Sequence, residues 1–589
     1  LFREGRSQPG RPFIFSPKGL DDSKTIVLII AMAIINPKEL KTFGTIHKTI
    51  LNSGRQFSDK VAFISREGPR FTYGEVENRV LRISGGLRNL GLSVGDRVGI
   101  LSENCPEWGI SYLAILSAGG IVVPFDGAWK SSELEFAIKI SGIKYLVCSA
   151  KYRPGIFEII EKNNLDLKLV GFESDFSPNL NQLAKFEPYV ADEIRPESPA
   201  ALIYTSGTTG DPKGVILTHR NIESNLEGAI NALDIYQEDI FLSVLPLHHT
   251  FEATCGFLLP LFTGTTIVYS RSLKSRDILD DIKNHGVTCI IGVPLLFEKM
   301  YKTIEKRMEE LSLPKRALLK TFYQVSRIGW HFNFKIGKSL FRGLHEKSGL
   351  GTIRMMVSGG APLAREITEW FNLVGFTMLE GYGLTECAPV VSVNRPDRTK
   401  FGSIGPPLPN IEVTIDNPSI DGIGEIKVRG QNTTPGYIDN PSATAALLKE
   451  GWLHTGDVGK IKRGYLYITG RKKNLIVSAA GKNIYPEEIE AALHMSPFVL
   501  ESVVIGKKKE TRMGEDVFAT IVPNLDEIKM RLPGKNEIMS PEEVRSIIDK
   551  EVQAVNNRLA DYKRIDRFEI RIDEFEKTST KKIKRNLYR

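Results

Sequence analysis

Cysteine is scarce in this chain, and its placement excludes two architectures. The five cysteines (Cys105, Cys148, Cys255, Cys289 and Cys387) are odd in number, scattered, and include no C-x-x-C pair. That argues against a disulfide framework and against a zinc site of paired cysteines, and it suits a reducing, cytosolic compartment. Long apolar runs are lacking too. The uninterrupted run Ile26–Ile35 is ten residues, against the roughly 18 that a bilayer-crossing helix needs. Acidic residues are almost missing from Leu313 to Lys347, where Lys315, Arg316, Lys320, Arg327, Lys335, Lys338, Arg342 and Lys347 face the single acid Glu346. A nucleic-acid recognition motif does not accompany these charges, so nucleic acid is not expected as a partner.

What is present is the composition of an ordinary globular protein, 41% hydrophobic and 25% charged. At 589 residues the chain is too long for one core, and two or more domains are expected. The net charge of +8 comes almost entirely from the 313–347 stretch. Phe322, Tyr323, Trp330, Phe332, Phe334, Leu340 and Phe341 are interleaved with its cations. Such a pattern reads either as contact with an anionic membrane surface or as a helical hairpin with a solvated basic face. Residues 1–35 form an atypical leader, expected to be disordered or not native. Ala31-Met32-Ala33 resembles a signal-peptidase site, but Asp21 and Asp22 stand where a positive segment belongs, and a start at Met32 is the preferred reading.

One stretch concentrates chemistry. Thr205-Ser206-Gly207-Thr208-Thr209-Gly210-Asp211-Pro212-Lys213-Gly214 packs four hydroxyls, three glycines and a lysine behind the apolar run Ala200–Ile203. Glycine allows tight turns and close approach to a ligand; hydroxyls donate hydrogen bonds and lysine supplies a mobile positive charge. This is a phosphate-gripping loop. It is not the Walker loop, because Lys213 is followed by Gly214 rather than Ser or Thr.

Around it, strands and helices alternate. Apolar residues at Val76, Val80, Ile83, Leu87 and Leu90 predict a helix over 71–91, followed by strands at Arg97–Leu101 and Ile121–Pro124. Further strands at Tyr145–Val147, Ala201–Tyr204, Ile240–Val244, Thr266–Tyr269 and Cys289–Gly292 extend the pattern into a parallel-sheet α/β domain. Short strands at 410–415 and 424–429 suggest a small β subdomain. The charged joint Gly470-Arg471-Lys472-Lys473-Asn474 marks a boundary, giving an N-terminal domain over 36–469 and a small, mobile α+β lid over 470–589.

Thr205–Val215, Tyr382-Gly383-Leu384-Thr385-Glu386, Thr455-Gly456-Asp457, Gly470-Arg471 and the tail Lys582-Ile583-Lys584-Arg585 occur in the order found in one superfamily. On these motifs the chain resembles the AMP-forming adenylating enzymes over about residues 40–589. The segments Leu245–Glu252 and Gly381–Val391 look most like bacterial long-chain acyl-CoA synthetases. The resemblance implies two half-reactions. A fatty-acid carboxylate attacks the α-phosphate of ATP to give acyl-adenylate and pyrophosphate, and the thiol of CoA then expels AMP. An acyl–acyl-carrier-protein synthetase, or a CoA ligase for another carboxylic acid, is the alternative. The enzyme is expected in the cytoplasm, peripheral on the inner membrane face if 313–347 touches lipid.

The resemblance also implies roles for residues. Thr205, Ser206, Gly207, Thr208, Thr209 and Lys213 would hold the β- and γ-phosphates. Thr385 would hydrogen-bond the α-phosphate and Glu386 would hold Mg²⁺. Gly359, Gly360, Ala361, Gly381 and Tyr382 would form the adenine slot, and Asp457 with Arg471 would meet the ribose. Lys582 matches the catalytic lysine, although Lys581 stands where many members have glycine and Glu576 where proline is common. Lys473 would be the hinge about which the lid turns, bringing the 477–485 loop, including Lys482, over the CoA tunnel. For the pair His248-His249, no third metal ligand is spaced nearby, and His249 is placed near the carboxylate end of the acyl pocket in preference to a core position. The segments 257–262 and 293–297 read equally as acyl tunnel or as core.

Overall fold

The computed structural model describes residues 40, 42–65, 68–205, 212–272, 274–508, 514–531, 540–577 and 583–588. Strands β1 (Val61–Ile64) and β2 (Arg70–Thr72) come first and join a sheet completed much later in the chain. The next strands build a six-stranded layer: β3 (Arg97–Leu101), β4 (Ile121–Pro124), β5 (Tyr145–Cys148), β6 (Lys168–Gly171), β7 (Pro199–Thr205) and β8 (Lys213–Thr218), ordered β6-β5-β3-β4-β7-β8. All pairings in it are parallel except the β7–β8 hairpin. Strand β5 is buried along its whole length, as a parallel strand covered on both faces must be.

The second layer has eight strands. It adds β9 (Ile240–Ser243), β10 (Thr266–Tyr269), β11 (Cys289–Gly292), β12 (Met355–Ser358), β13 (Thr377–Gly383) and β14 (Val390–Val393), ordered β14-β13-β12-β11-β9-β10-β1-β2. The expected strands are all found, within a residue or two at their ends. The helix expected over 71–91 runs Tyr73–Asn89, because the Thr72 side chain accepts from Glu75 N and the Glu75 side chain accepts from Thr72 N. This capping box sets the start.

Helix Pro106–Ser117 is buried between the two layers. Trp108 and Tyr112 both meet Phe257 edge-on, each at 5.8 Å between centroids, and each such pair is worth about 0.5–1.5 kcal/mol beyond area burial. Phe257, Leu258, Leu259, Leu261 and Phe262 sit in this core, as Phe297 does in a second one.

A small antiparallel sheet follows: β15 (Ile411–Asp416), β16 (Gly424–Gly430), β17 (Leu448–Lys449), β18 (Trp452–Lys462) and β19 (Tyr465–Arg471). Beyond it come the short hairpin of β20 (Ile476–Val477) and β21 (Asn483–Ile484), then a three-stranded sheet of β22 (Val499–Lys508), β23 (Glu515–Pro523) and β24 (Arg567–Ile570). Helices Pro486–His494 and Pro541–Asn556 cover this sheet, and a separate apolar core from Ile476 to Ile565 holds the unit together. The architecture is therefore α/β, a large N-terminal part with a small β sheet and a smaller α+β C-terminal part. Among the described residues, no helix is long and apolar enough to cross a membrane.

Candidate active site

Parallel strands β12 and β13 lie side by side, with Ser358 opposite Glu380. The chain leaves β12 through Gly359, Gly360 and Ala361, and leaves β13 through Leu384, Thr385 and Glu386. Carboxyl ends of parallel strands are where α/β sheets open crevices for ligands. Gly359 is required by packing as well: a Cβ there would come within 2.8 Å of the Phe251 ring. Gly360 is exposed and turns the chain at φ +81°, a conformation that suits glycine.

Tyr382, near the end of β13, donates its hydroxyl to Asp457 Oδ2 at 2.7 Å. Asp457 lies opposite Arg471 in the β18–β19 pairing, and Arg471 Nε is 2.9 Å from Asp457 Oδ1. The carboxylate is 5% exposed yet engaged at both oxygens, as a buried charge must be. Asp457 in turn pushes the Arg471 guanidinium up, so it stays charged. The Tyr382 hydroxyl is held protonated by burial and, next, by the same carboxylate. Three sequence-predicted residues from three strands thus form one network.

In the six-stranded sheet, the β7–β8 hairpin places Thr205 across from Lys213, with Thr205 Oγ1 donating to Lys213 O at 3.4 Å. Ser206, Gly207, Thr208 and Thr209 lie outside the described residues. Lys213 Nζ stands over the Tyr437 ring, 5.4 Å from its centroid. The Tyr437 hydroxyl reaches Glu386 Oε1 at 2.7 Å, while Glu386 O accepts from Thr434 N at 2.8 Å. Burial first, and Glu386 second, raise the Tyr437 pKa, so the phenol remains a donor. Sequence reasoning missed Tyr437, and no pattern marks it there. It is placed by its bridge to Val215, against the hairpin that carries Lys213.

The remaining expected residues are dispersed. Lys473 sits exposed in the single turn Lys472–Asn474 after β19. Lys482 is exposed between β20 and β21, its N–H bonded to Ser478 Oγ at 3.1 Å. Lys582 lies outside the described residues. Its neighbour Lys584 places Nζ 3.5 Å from Glu133 Oε1, on the large N-terminal part.

His248 and His249 follow β9, two residues before Phe251, with ring centroids 4.2 Å apart. No third ligand is spaced near the pair in the sequence, but the fold brings a third metal-capable group close. It is Asp126, which leaves β4 in the other sheet, 122 positions upstream of His248, so sequence spacing could not reveal it. Next along the chain, Glu252 opens a π-helix over Glu252–Leu258. Its carboxyl is completely buried and raised to about 8, chiefly by desolvation, while Ser243 Oγ donates to Oε1 at 2.6 Å.

The turn glycines after β12 beside the Tyr382–Asp457–Arg471 network, and the Lys213 hairpin joined through Tyr437 to Glu386, are the arrangement expected of an adenylate-forming enzyme. The chain belongs to the AMP-binding enzyme family: residues 51–438 match that family and residues 488–582 its C-terminal domain. A long-chain-fatty-acid–CoA ligase of Yersinia pestis is 30% identical over 516 residues, which cover 80% of this chain and 84% of that protein. A chloroplastic long-chain-fatty-acid–acyl-carrier-protein ligase of Arabidopsis thaliana is 26% identical, over 94% of this chain and 84% of that protein. Among solved structures, ATP-bound MatB from Rhodopseudomonas palustris matches with a TM-score of 0.73 at 27% identity, covering 92% of this chain and 98% of that one.

Proposed function

We propose that the protein activates a long-chain fatty acid with ATP as the acyl-adenylate, then transfers the acyl group to CoA, releasing AMP and pyrophosphate. The observation that carries this reading is the junction at Tyr437, which ties Glu386 to Lys213 across two sheets. The named bacterial relative supplies the acid and the acceptor. Thr385, Lys213 and the hydroxyls at Thr205, Ser206, Thr208 and Thr209, with Gly207, hold the triphosphate. Gly359, Gly360, Ala361, Gly381 and Tyr382 receive adenine, and Asp457 with Arg471 receives the ribose. Half-buried Glu386, with one oxygen on Tyr437 and phosphates expected beside Lys213, fits a hard divalent cation. Mg²⁺ bound there would neutralise charge on the phosphates.

Lys582 provides the charge that bridges acyl carboxylate and α-phosphate. Residues 36–469 form the adenylating domain and 470–589 a lid that turns about Lys473, bringing the 477–485 hairpin with Lys482 to the thiol. The separate core of the C-terminal part supports treating it as one moving body. His249 faces the carboxylate end of the acyl site. The stretch 313–347 rests on an anionic membrane surface at the cytoplasmic face, a reading supported by the exposed apolar residues Leu318, Val325, Ile328 and Phe332 beside its cations.

An ATP–pyrophosphate exchange screen across acyl chain lengths tests the first half, and CoA against acyl carrier protein as acceptor tests the second. Exchange with long-chain acids and thioester formed on CoA are expected. No exchange with any fatty acid would refute the proposal, and transfer to carrier protein alone would favour the second reading, which the Arabidopsis relative motivates.

A further inference from the structure

Asn104 follows β3 of the six-stranded layer, yet its side chain reaches into the eight-stranded one. Its Nδ2 donates to Ser243 Oγ at 3.0 Å and to Leu245 O at 2.6 Å, and its Oδ1 accepts from Leu247 N at 3.0 Å. Ser243 ends β9, and Leu245 and Leu247 lie on the loop that follows. Ser243 Oγ, having accepted from Asn104, donates to Glu252 Oε1 at 2.6 Å. An unbroken chain of hydrogen bonds thus runs from one sheet, through the end of the other, to the first residue of the π-helix.

Ser243 and Glu252 are buried. Glu252 Oε2 makes no hydrogen bond, and burial raises the carboxyl to about 8, so at neutral pH it is a neutral acid oriented by Ser243. Packing holds it there: a Cβ on Gly256, four residues on, would come within 2.5 Å of Glu252 Cδ.

This acid has a contact with the crevice on either side of it. One residue before, the Phe251 ring backs Gly359 in the turn after β12. Two residues after, Thr254 Oγ1 donates to Ala388 O at 3.1 Å. Ala388 N in turn closes the Thr385–Cys387 turn on Thr385 O at 3.2 Å. Residues 251–254 therefore meet both turns, one carrying Gly359 and Gly360 and the other Thr385 and Glu386. Rare π-helical turns are frequent at functional sites.

We infer that Asn104, Ser243 and Glu252 are positioning residues, which set the 251–254 segment and through it the spacing of the two crevice turns. They act through Phe251 and Thr254 rather than on substrate. Hydrogen bonds linked in a chain within a low-dielectric interior strengthen one another, which suits a device that must hold two turns in register. The inference deepens the ligase reading, because it rests on those turns being the ATP site.

The test is ATP affinity, measured by calorimetry on the full chain. Asn104→Ala cuts the chain at its start and Ser243→Ala at its middle. Each should weaken ATP binding by about 2–30-fold, the range for network residues that meet no ligand. Glu252→Leu should do the same, whereas Glu252→Gln keeps an acceptor for Ser243 and should restore binding. Ser117→Ala removes a comparably buried hydroxyl, bonded to Leu113 O at 2.8 Å, and should leave ATP affinity at the wild-type value whatever its effect on Tm. Pyrophosphate exchange supplies a second readout: in Asn104→Ala kcat should fall by up to about 10²-fold, the scale of a misplacement of about 1 Å, with KM for the fatty acid changing less. Wild-type affinity in folded Asn104→Ala and Ser243→Ala would overturn the inference, as would an equal loss in Ser117→Ala. Should neither of the first two fold, the Glu252 pair decides, and equal ATP affinity in Glu252→Gln and Glu252→Leu would refute the network. A wild type that binds ATP but exchanges with no fatty acid would sink the ligase reading alone and leave these residues in their role.

Discussion

Tyr437 and Glu386, 51 positions apart, are joined by a hydrogen bond from the phenol to the carboxylate at 2.7 Å. Because Lys213 lies over the same ring, Tyr437 orients the anion and seats the cation of the proposed phosphate site together. Hydrogen bonds to charged groups are worth about 1.5–3 kcal/mol, which sets the upper bound for losing this one. Tyr437→Phe keeps the ring under Lys213 and removes only the donor. It should raise the KM for Mg-ATP by no more than about 10–150-fold in pyrophosphate exchange, with a smaller change in kcat. Unchanged ATP dependence would show that Glu386 needs no help from Tyr437.

Asp457 is more exacting, because both of its oxygens are engaged. Asp457→Asn removes the charge opposite Arg471 and one of the two acceptors. ATP binding, read by calorimetry, should weaken by more than about tenfold. Tyr382→Phe, which keeps the ring and the Asp457–Arg471 pair, should cost less. If Tyr382→Phe proved the more damaging, the network would be organised by Tyr382 rather than by the carboxylate.

The sequence exposes what is local. Strands such as Tyr145–Cys148 and Cys289–Gly292 are legible because buried parallel strands are continuous apolar runs, and the helix start at Tyr73 is written in Thr72 and Glu75. Gly359, Tyr382, Asp457 and Arg471 are found through motifs, and the fold gathers them. Tyr437 and Asp126 escape because their contacts run across sheets. No periodicity links Asp126 to His248, and Tyr437 follows a strand in a Gly–Tyr turn like many others. Segments 257–262 and 293–297 read equally as tunnel or core; in the fold 257–262 packs into the core, whereas in 293–297 Phe297 is buried and Leu295 is exposed.

Burial raises the Glu252 carboxyl from 4.5 to about 8. The folded chain keeps that proton between these values while the unfolded chain releases it. The associated stability is therefore complete below about 4.5 and is lost as pH rises through about 8, with a slope of at most about 1.4 kcal/mol per pH unit. Glu380, raised to about 7 by burial, acts in the same sense. His47 and His219, lowered by burial to about 4 and about 3, act oppositely and only as pH falls below 6.5. Glu252→Gln should thus flatten, without abolishing, the decline of Tm from pH 5 to pH 8. Superimposable Tm curves would mean that Glu252 ionises freely.

Helix Leu313–His331 turns Leu319, Phe322, Tyr323 and buried Ser326 to the core. Leu318, Val325, Ile328 and Phe332 form an adjoining exposed stripe, with Ile328 62% and Phe332 66% accessible. Arg327 is paired with Glu369 at 3.3 Å, so Lys315, Arg316 and Lys320 are the informative cations. Reversing these three to glutamate should reduce sedimentation with anionic vesicles at low salt. Ile328→Ser with Phe332→Ser should reduce it at high salt too, since apolar insertion is not screened. Binding that neither set alters would make this a solvated face.

Lys582 and Lys473 separate the two halves of the proposed reaction. Losing one aligned transition-state donor costs about 2.7–4 kcal/mol, so Lys582→Ala should slow adenylate formation by about 10²–10³-fold and spare thioester formation from supplied acyl-AMP. Lys473 lies in the turn between β19 and the C-terminal sheet. Lys473→Pro restricts that turn without touching the phosphate site, so it should leave pyrophosphate exchange near wild type while depressing thioester formation. Measuring both half-reactions on both variants gives a crossed pattern that a general folding defect cannot imitate. Parallel losses in the two variants would remove the argument that one lysine serves the first step and the other the turn of the lid.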